Sequence, residues 1–301
     1  MQKLRDGFRK YWILYAMLLP TFIWYLAFAF KPLYYLQIAL FDYNPYKGLS
    51  GSEFVGLDNF IHFFSGKDFF RTFKNTLVLG LCSILFEFPM AIIFSVMLNE
   101  IKNKLAKTFF QTVSFIPYFI SIVVIAGIFI NLLSPTNGVI NIMLEKMGIE
   151  RAYFISQAKY FRPIYIALNI WKNTGFNALV YLAALMGVRP ELYEAARIDG
   201  AGKWQELWSV TLPSIMPTII VMLILRIGSI MQVGYETILL LYQPSTFETA
   251  DVISTFAYRV GLEQNNYGLA AAAGLFNSLI ALVLIAATNK ASKKYAGSSL
   301  W

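Results

Sequence analysis

The sequence contains little charge for its length. Charged residues occupy 14% of the 301 positions, whereas hydrophobic residues occupy 57% and the mean hydropathy is +0.56. A soluble domain of this length needs more charge than this to cover its surface. The shortage therefore argues against a soluble globular protein and indicates a single polytopic membrane domain over residues 1–301.

Cysteine and histidine are almost absent, with one residue of each. Cys82 cannot form an internal disulfide and lies in an apolar run, so we expect it to face lipid or a neighbouring helix. His62 falls in a loop without cysteines or clustered carboxylates, which argues against a metal site. The sequence also shows no Ser/His/Asp set and no paired carboxylates, so a membrane enzyme is not favoured.

Six apolar runs are long enough to cross the hydrocarbon core as helices, which requires about 20 residues. The first run is not followed by a signal-peptide cleavage site, so we expect a retained helix. The predicted fold class is therefore an all-α integral membrane protein with six transmembrane helices, at residues 11–30, 75–98, 109–132, 162–187, 212–236 and 268–289.

The formal charge of +8 is distributed as topology requires. With the N-terminus inside, the short inner segments hold thirteen Lys and Arg, and the much longer outer segments hold ten if Arg162, at the outer end of the fourth span, is included. The positive-inside rule weights short loops, so both termini and the loop 188–211 are predicted to be cytoplasmic. The positive charge then indicates contact with anionic lipids and no nucleic acid partner.

The loop 188–211 is patterned more strongly than a simple connector. Pro190 suits the first turn of a helix, Gly200 and Gly202 suit its end, and a second short helix follows from Lys203. A helix-turn-helix is therefore predicted. Small residues would let this loop lie flat in a groove of another protein. The candidate residues for such a contact are small or acidic, or mark the start of the next span: Glu194, Ala195, Ala196, Asp199, Gly200, Ala201, Gly202, Leu212 and Pro213.

The pair Gly202-Lys203 resembles the end of a phosphate-binding loop, but the rest of that motif is missing. The motif needs a second glycine five residues earlier and Ser or Thr after the lysine. Arg197 and Trp204 occupy those positions. The chain is therefore predicted to bind no ATP or other cofactor.

The order and spacing of residues 193–213 resemble the EAA loop of permease subunits of binding-protein-dependent ABC importers. The strings at 55–60 and 267–277 are similar to carbohydrate-uptake permeases of the maltodextrin type and to their complex-oligosaccharide subgroup. The resemblance covers nearly the whole chain and implies a type I importer permease. It also implies that the loop docks onto an ATPase, with Glu194 facing that subunit and Gly200 making the turn.

The same resemblance implies the partners and the location. They are a second, homologous permease, two ATPase subunits that carry ATP and Mg²⁺, an external binding protein and an oligosaccharide cargo, all at a bacterial plasma membrane. Transport would proceed by alternating access, driven by hydrolysis in the partner ATPases.

Polar side chains within the fourth and fifth spans are candidates for the substrate path. Asn169, Asn173 and Asn177 recur every four residues and form one stripe on a helix. They are equally compatible with hydrogen bonds between helices, each worth about 0.5–2 kcal/mol. In an alignment with maltodextrin permeases, only Asn169 keeps the type of residue found at their sugar-contacting positions. The different residues here, Lys172 and Arg226, favour an anionic or larger glycan. The full candidate set is Asn169, Lys172, Asn173, Phe176, Asn177, Arg226, Ser229, Ile230 and Val233.

Arg226 and Glu87 are predicted at similar depth within the membrane. An unpaired charge there costs about 2.5–3.5 kcal/mol on insertion scales, so the two residues are candidates for an ion pair. Arg226 is equally a candidate for contact with an acidic sugar or its hydroxyl groups.

Two other functions remain open at this point. One is an ABC permease for a cargo other than sugar, such as a polyamine or phosphate. The other is an ion-coupled carrier or channel, a class that often has two similar halves and helices broken within the membrane. The sequence shows neither feature.

Overall fold

The computed structural model describes residues 2–295, with side chains described for residues 10–294. Met1 and residues 296–301 lie outside this part, so the predicted location of the extreme termini is not addressed by it. Lys3, Arg5 and Arg9, which contributed to the inside charge, also have side chains outside the described residues.

The described chain is almost entirely helical. Its first part contains a two-stranded antiparallel sheet in which Phe41 pairs with Phe54 and Asp42 with Glu53. The elements of this part are α1 (Gln2–Tyr25), α2 (Lys31–Tyr34), β1 (Phe41–Asp42), β2 (Glu53–Phe54) and α3 (Asp58–Ser65).

The middle and last parts of the chain contain the remaining helices. The middle part comprises α4 (Phe69–Cys82), α5 (Phe88–Glu100), α6 (Lys104–Phe119), α7 (Ile122–Leu132), α8 (Val139–Lys146) and α9 (Ala158–Met186). The last part comprises α10 (Pro190–Ile198), α11 (Lys203–Glu206), α12 (Leu212–Gly228), α13 (Tyr235–Leu241), α14 (Phe247–Ala250), α15 (Ile253–Tyr258) and α16 (Tyr267–Tyr295).

Four continuous helical stretches within the described residues are long and apolar enough to cross a membrane. They are Lys10–Leu40, Phe69–Glu100, Lys203–Gly228 and Tyr267–Lys294. They contain the predicted first, second and sixth spans and the predicted fifth span as far as Gly228. The predicted third span corresponds to α6 and α7. The predicted fourth corresponds to α9, which has 29 residues but is not in the apolar set, because its asparagines and Lys172 lower its hydropathy.

Two spans differ from their predicted form. The third span bends by 99° between Phe119 and Ile122. The prediction that no helix is broken within the membrane is therefore wrong. The fifth helix ends at Gly228 rather than at residue 236, and α13 begins only at Tyr235. Ser229, Ile230 and Val233 therefore lie at or beyond the end of this helix, in a segment that hydropathy alone joined to it.

Small residues allow close packing between helices. A Cβ atom added at Gly175 of α9 would overlap the backbone carbonyl of Ser114 in α6, and one added at Gly80 of α4 would overlap the carbonyl of Ile230. Close backbone approach of this kind is characteristic of helix packing in membranes. The two glycines thus set how near α6 and the segment after α12 come to their neighbours.

Contacts within the chain define two compact units. The first comprises the chain up to Ser65 together with Ala257–Leu275, and the second comprises Gly66–Phe256 together with the chain from Phe276. In the second unit a buried apolar core includes Leu79, Ile125, Leu168, Ile238 and Val252. The assignment of residues 1–301 to one permease domain stays a prediction.

Candidate functional site

A polar cavity of about 210 Å³ lies in the second unit beside α9. It brings together six of the nine predicted substrate-path residues: Asn169, Asn173, Arg226, Ser229, Ile230 and Val233. The nonhelical turn after Gly228 makes this possible, because it places Ile230 and Val233 against the same space as the asparagines of α9. The end of the fifth helix at Gly228 therefore brings these residues together in one site.

The two cavity asparagines differ in their bonding. Asn169 is 9% exposed and donates from Nδ2 to the Tyr165 carbonyl, at 3.1 Å, one turn earlier in α9. Asn173 is half-buried and, among the described residues, no hydrogen bond of its amide is recorded. Asn173 is thus the better placed of the two to bond a hydroxyl group in the cavity.

Glu87 and Arg226 form the predicted ion pair. The guanidinium of Arg226 donates to the Glu87 carboxylate and to the Ser83 hydroxyl. Glu87 is 8% exposed on its side chain and Arg226 is 37% exposed, so the carboxylate is enclosed while the guanidinium keeps one face open to the cavity. The pair compensates both charges locally and leaves Arg226 donors for a further acceptor.

A second pocket of about 190 Å³ adjoins the same ion pair. Asn177, the third residue of the asparagine stripe, lines it together with Tyr181, Ser229, Glu87 and Arg226. Because Glu87, Arg226 and Ser229 line both pockets, the three asparagines of the stripe line two pockets that share one ion pair.

Lys172 and Phe176 lie away from these two pockets, at the break between α6 and α7. The Lys172 ammonium donates to the carbonyls of Tyr118 (3.0 Å) and Ile120 (3.2 Å), which the break leaves without helical partners. The Phe176 ring stacks on Tyr118 with centroids 3.8 Å apart. In this arrangement both residues support the bent helix.

Tyr165 and Gln232 also line the cavity, although the sequence analysis did not include them in the substrate path. The Tyr165 hydroxyl accepts from the Gly234 N–H, at 3.1 Å, and so holds the turn after α12 against α9. The signal for Tyr165 was available, because it precedes Asn169 by four residues and lies on the same stripe. Gln232 could be assigned to the cavity only with knowledge that α12 ends at Gly228.

The loop 188–211, predicted to be cytoplasmic, folds as the predicted helix-turn-helix. The first helix begins at Pro190, and Gly200, with φ +83°, ends it in the left-handed conformation. The Gly200 and Ala201 N–H groups donate to the carbonyls of Arg197 and Ala196, which is the pattern of a Schellman motif. The second helix begins at Lys203 and continues without interruption into α12.

Ion pairs join the two helices of this loop. Arg197 contacts the Glu206 carboxylate at 2.6 Å, and this hydrogen bond raises the pKa of Arg197 above its ordinary value. Lys203 contacts Glu206 at 3.4 Å and Glu100, at the end of α5, at 2.9 Å. The loop is therefore held to itself and to the second span.

One face of the loop 188–211 is exposed. Glu194 is exposed and, among the described residues, makes no ion pair. Ile198, Trp204 and Trp208 are 86%, 74% and 66% exposed. Exposed apolar and aromatic side chains beside an acidic residue are typical of a surface that binds another protein.

A helical membrane domain with a polar internal cavity and an exposed helical loop defines a transport protein of the permease class. Residues 87–295 match the family of binding-protein-dependent transport system inner membrane components. The chain belongs to this family, which makes it a multi-pass permease subunit of an ABC importer. The predicted family and the all-α, type I fold class are thereby confirmed.

Several known proteins are similar over almost their full length. The polygalacturonan/rhamnogalacturonan transport system permease protein YteP of Bacillus subtilis is 38% identical over 96% of this chain and 90% of its own. Protein LplB of the same organism is 39% identical over 94% and 89%. A crystal structure of a bacterial ABC transporter involved in the import of the acidic polysaccharide alginate has a TM-score of 0.91 and 47% identity, covering 97% of this chain and 99% of that chain.

Proposed function

We propose that the chain is a permease subunit of an ATP-driven importer for oligosaccharides. The observation that carries this proposal is the polar cavity, where amide, hydroxyl and guanidinium groups line one space beside the helix that leads to the cytoplasmic loop. Sugars present many hydroxyl groups, and such donors and acceptors suit them. The permeases named for polygalacturonan, rhamnogalacturonan and alginate support the choice of cargo.

The open face of Arg226 favours a cargo that carries carboxylates. Its guanidinium is shared between Glu87 and the cavity, so it offers a charge-assisted hydrogen bond to an acidic sugar at small cost in rearrangement. The departure from the maltodextrin pattern at this position agrees with the acidic polymers in the names of the similar proteins.

The partners follow from the open loop and from the family. We propose that Glu194, Ala195, Ala196, Asp199 and Gly200 contact one of two ATPase subunits, with Ala201, Gly202, Leu212 and Pro213 completing the predicted surface. ATP and Mg²⁺ would be bound there and hydrolysed by those subunits. A second, homologous permease would supply the other wall of the path, and an external binding protein would deliver the cargo at a bacterial plasma membrane. A similar alginate importer has been crystallised with its sugar-bound periplasmic protein.

Reconstituted transport tests the proposal. The importer, purified with its ATPases and second permease, is placed in liposomes that contain ATP, and uptake of labelled oligogalacturonate and oligoalginate is measured with the binding protein outside. We expect uptake of at least one of them that requires both ATP and the binding protein. Uptake of phosphate or a polyamine in place of any oligosaccharide would contradict the proposed cargo.

The Glu194→Lys variant tests the docking surface in the same system. Reversal of the charge should release the ATPase or abolish coupled uptake while insertion stays normal, because Glu194 is exposed and makes no ion pair among the described residues. Glu150→Lys is the matched control, since Glu150 is also an exposed glutamate but lies on a predicted outer segment. Normal uptake by Glu194→Lys would contradict its role.

A further inference from the structure

The first unit contains a cleft that the proposed transport path does not use. It has a volume of about 570 Å³ and is lined by residues 42–46 together with Asn265 and Tyr267, hereafter the outer cleft. In the predicted topology, residues 42–46 follow the first span and Asn265 precedes the last. The two segments should therefore lie on the same, outer side of the membrane, as their meeting in one cleft requires.

The walls of the outer cleft are held in place by local bonds. Tyr43 and Tyr267 pack edge to face with ring centroids 6.0 Å apart. Asn44 Oδ1 accepts from the Tyr46 N–H at 3.0 Å, and the Asn44 N–H donates to Ser52 Oγ at 3.0 Å. These contacts order the cleft before any ligand arrives, which lowers the entropy cost of binding.

Asn265 has a conformation that marks this site. Its φ of +59° makes it the one non-glycine residue with positive φ among the described residues. Its Oδ1 accepts from the Tyr267 hydroxyl at 3.2 Å, and this bond orients the amide so that both Nδ2 protons are left over. Asparagine tolerates this left-handed conformation, and here it places Asn265 in the lining of the cleft.

The polar groups left in the outer cleft can bond hydroxyl groups in both directions. Among the described residues, no hydrogen bond or ion pair is recorded for the Asp42 carboxylate, the Asn44 Nδ2 or the Asn265 Nδ2. A carboxylate accepts from hydroxyls, and amide nitrogens donate to them. Tyr46, which is 98% exposed, adds an aromatic face at the rim. This combination of a few polar groups with aromatic walls is typical of small-ligand sites of 300–1,000 Å³.

The charge of the outer cleft selects among sugars. Asp42 is its one charged lining residue, and Glu53, the residue paired with Asp42 across the two strands, adds a second negative charge beside it. Lys47, which follows Tyr46 in the chain, is exposed but does not line the cleft. The charge of the lining itself therefore disfavours an acidic sugar, in contrast to the environment of Arg226 in the membrane cavity. The outer cleft therefore suits a neutral sugar ring.

We propose that the outer cleft is an accessory glycan site that binds an uncharged, hydroxyl-bearing sugar unit on the outer face of the permease. The proposal rests on the proposed function, because it assumes that glycans reach this face. It adds to that function a contact made before the cargo enters the membrane cavity.

Binding of two matched sugars to the complete importer in nanodiscs tests this site, with no binding protein present. The probes are an α-1,4-linked galactose tetrasaccharide and the corresponding galacturonate tetrasaccharide, which share ring stereochemistry and differ at C6. We expect binding of the galacturonate probe to depend on Arg226 in the membrane cavity, and the outer cleft to bind the neutral probe. Asp42→Asn and Tyr46→Ala should each weaken its binding about fivefold or more, equivalent to one lost hydrogen bond or stacking contact of about 1 kcal/mol.

The control and the contrary outcomes separate this proposal from the transport proposal. Tyr153→Ala removes a 63% exposed tyrosine from a predicted outer segment that does not line the cleft, and it should leave binding unchanged. Unchanged binding in both cleft variants, or no binding of the neutral probe, would overturn the glycan site while ATP-driven uptake still supports the importer. The sugar-loaded binding protein is then added in a separate measurement. If the cleft variants lose only its binding and keep that of the neutral probe, the cleft is a protein-docking surface and the glycan site is refuted.

Discussion

At the scale of single residues, partners rather than position decide what a polar group in the membrane can do. Lys172 and Asn173 are neighbours in α9, yet the Lys172 ammonium is bonded to two backbone carbonyls, whereas Asn173 faces the polar cavity. Arg226 lies between these cases, because it is bonded to Glu87 and still exposed to the cavity. The predicted substrate path therefore divides into residues that line the space and residues that support the helices around it.

The asparagine stripe gives the first prediction. Replacing Asn169 and Asn173 by Leu should abolish most uptake in proteoliposomes, because two amides that line the cavity are lost. Assembly and ATPase activity should be retained, since neither residue touches the cytoplasmic loop in the described part of the chain. Full uptake by this double variant would return the stripe to plain helix packing.

The Glu87–Arg226 pair gives the second. Arg226→Met should lower the free energy of unfolding by about 1–3 kcal/mol, because it leaves an enclosed carboxylate without its donor. Adding Glu87→Leu should recover much of that loss, as measured by thermal unfolding in detergent. If Arg226 also reads the cargo, the double variant will be stable but will not transport, whereas recovery of uptake would make the pair purely structural.

At the scale of helices, breaks and close contacts shape the second unit. The α6–α7 bend exposes carbonyls that Lys172 then satisfies, as irregular backbone at membrane depth requires. Gly175 lies one turn after Trp171 and lets α9 approach α6 closely. The helix that lines the cavity therefore also fixes the bent span beside it.

Lys172 is accordingly predicted to act through the bend. Lys172→Met should destabilise the permease by about 1.5–3 kcal/mol, the typical worth of a hydrogen bond to a charged group. Lys172→Arg keeps a cationic donor and should retain most of the stability. Thermal unfolding of both variants decides the matter: equal stability would show that the bonds to Tyr118 and Ile120 carry little weight.

Two glycines provide a matched pair. Gly175→Ala should cost about 1–3 kcal/mol, because its Cβ would overlap the Ser114 backbone. Gly127→Ala, in α7, meets nothing within 4 Å and should instead stabilise its helix by about 0.5–1 kcal/mol. Equal melting temperatures for the two variants would contradict the close packing of α6 and α9.

At the scale of the whole molecule, the predicted topology assigns each connecting loop to one side of the membrane. If the loop 188–211 is cytoplasmic, the chain must cross the membrane an odd number of times between it and each predicted outer segment. That count includes α9, whose polar stripe excludes it from the helices that hydropathy recognises.

Reporter fusions test this arrangement. Fusions after residues 150 and 255 should report the outside, and fusions after residues 105 and 200 the inside. An inside signal after residue 150 would show that the bent α6–α7 segment returns to the side from which it came. An outside signal after residue 200 would show that α9 does not cross.

The sequence by itself determined the class of the molecule and the local form of the loop 188–211. Both depend on short-range physics: the length of apolar runs, the balance of positive charge, and the backbone preferences of Pro190 and Gly200. Spacing along one helix also placed the three asparagines on one face. Depth along the chain correctly suggested that Glu87 and Arg226 pair.

Only the tertiary structure decided which polar residues share a cavity. Hydropathy does not reveal a helix break when the residues on both sides are apolar. The sequence therefore predicted neither the bend after Phe119 nor the end of α12 at Gly228. The Lys172 ammonium bonds to carbonyls that the bend leaves unsatisfied, so Lys172 does not line the cavity. Ile230 and Val233 line the cavity because the turn after Gly228 places them there. The outer cleft likewise depends on segments more than 200 residues apart in the chain, whose meeting no local pattern encodes.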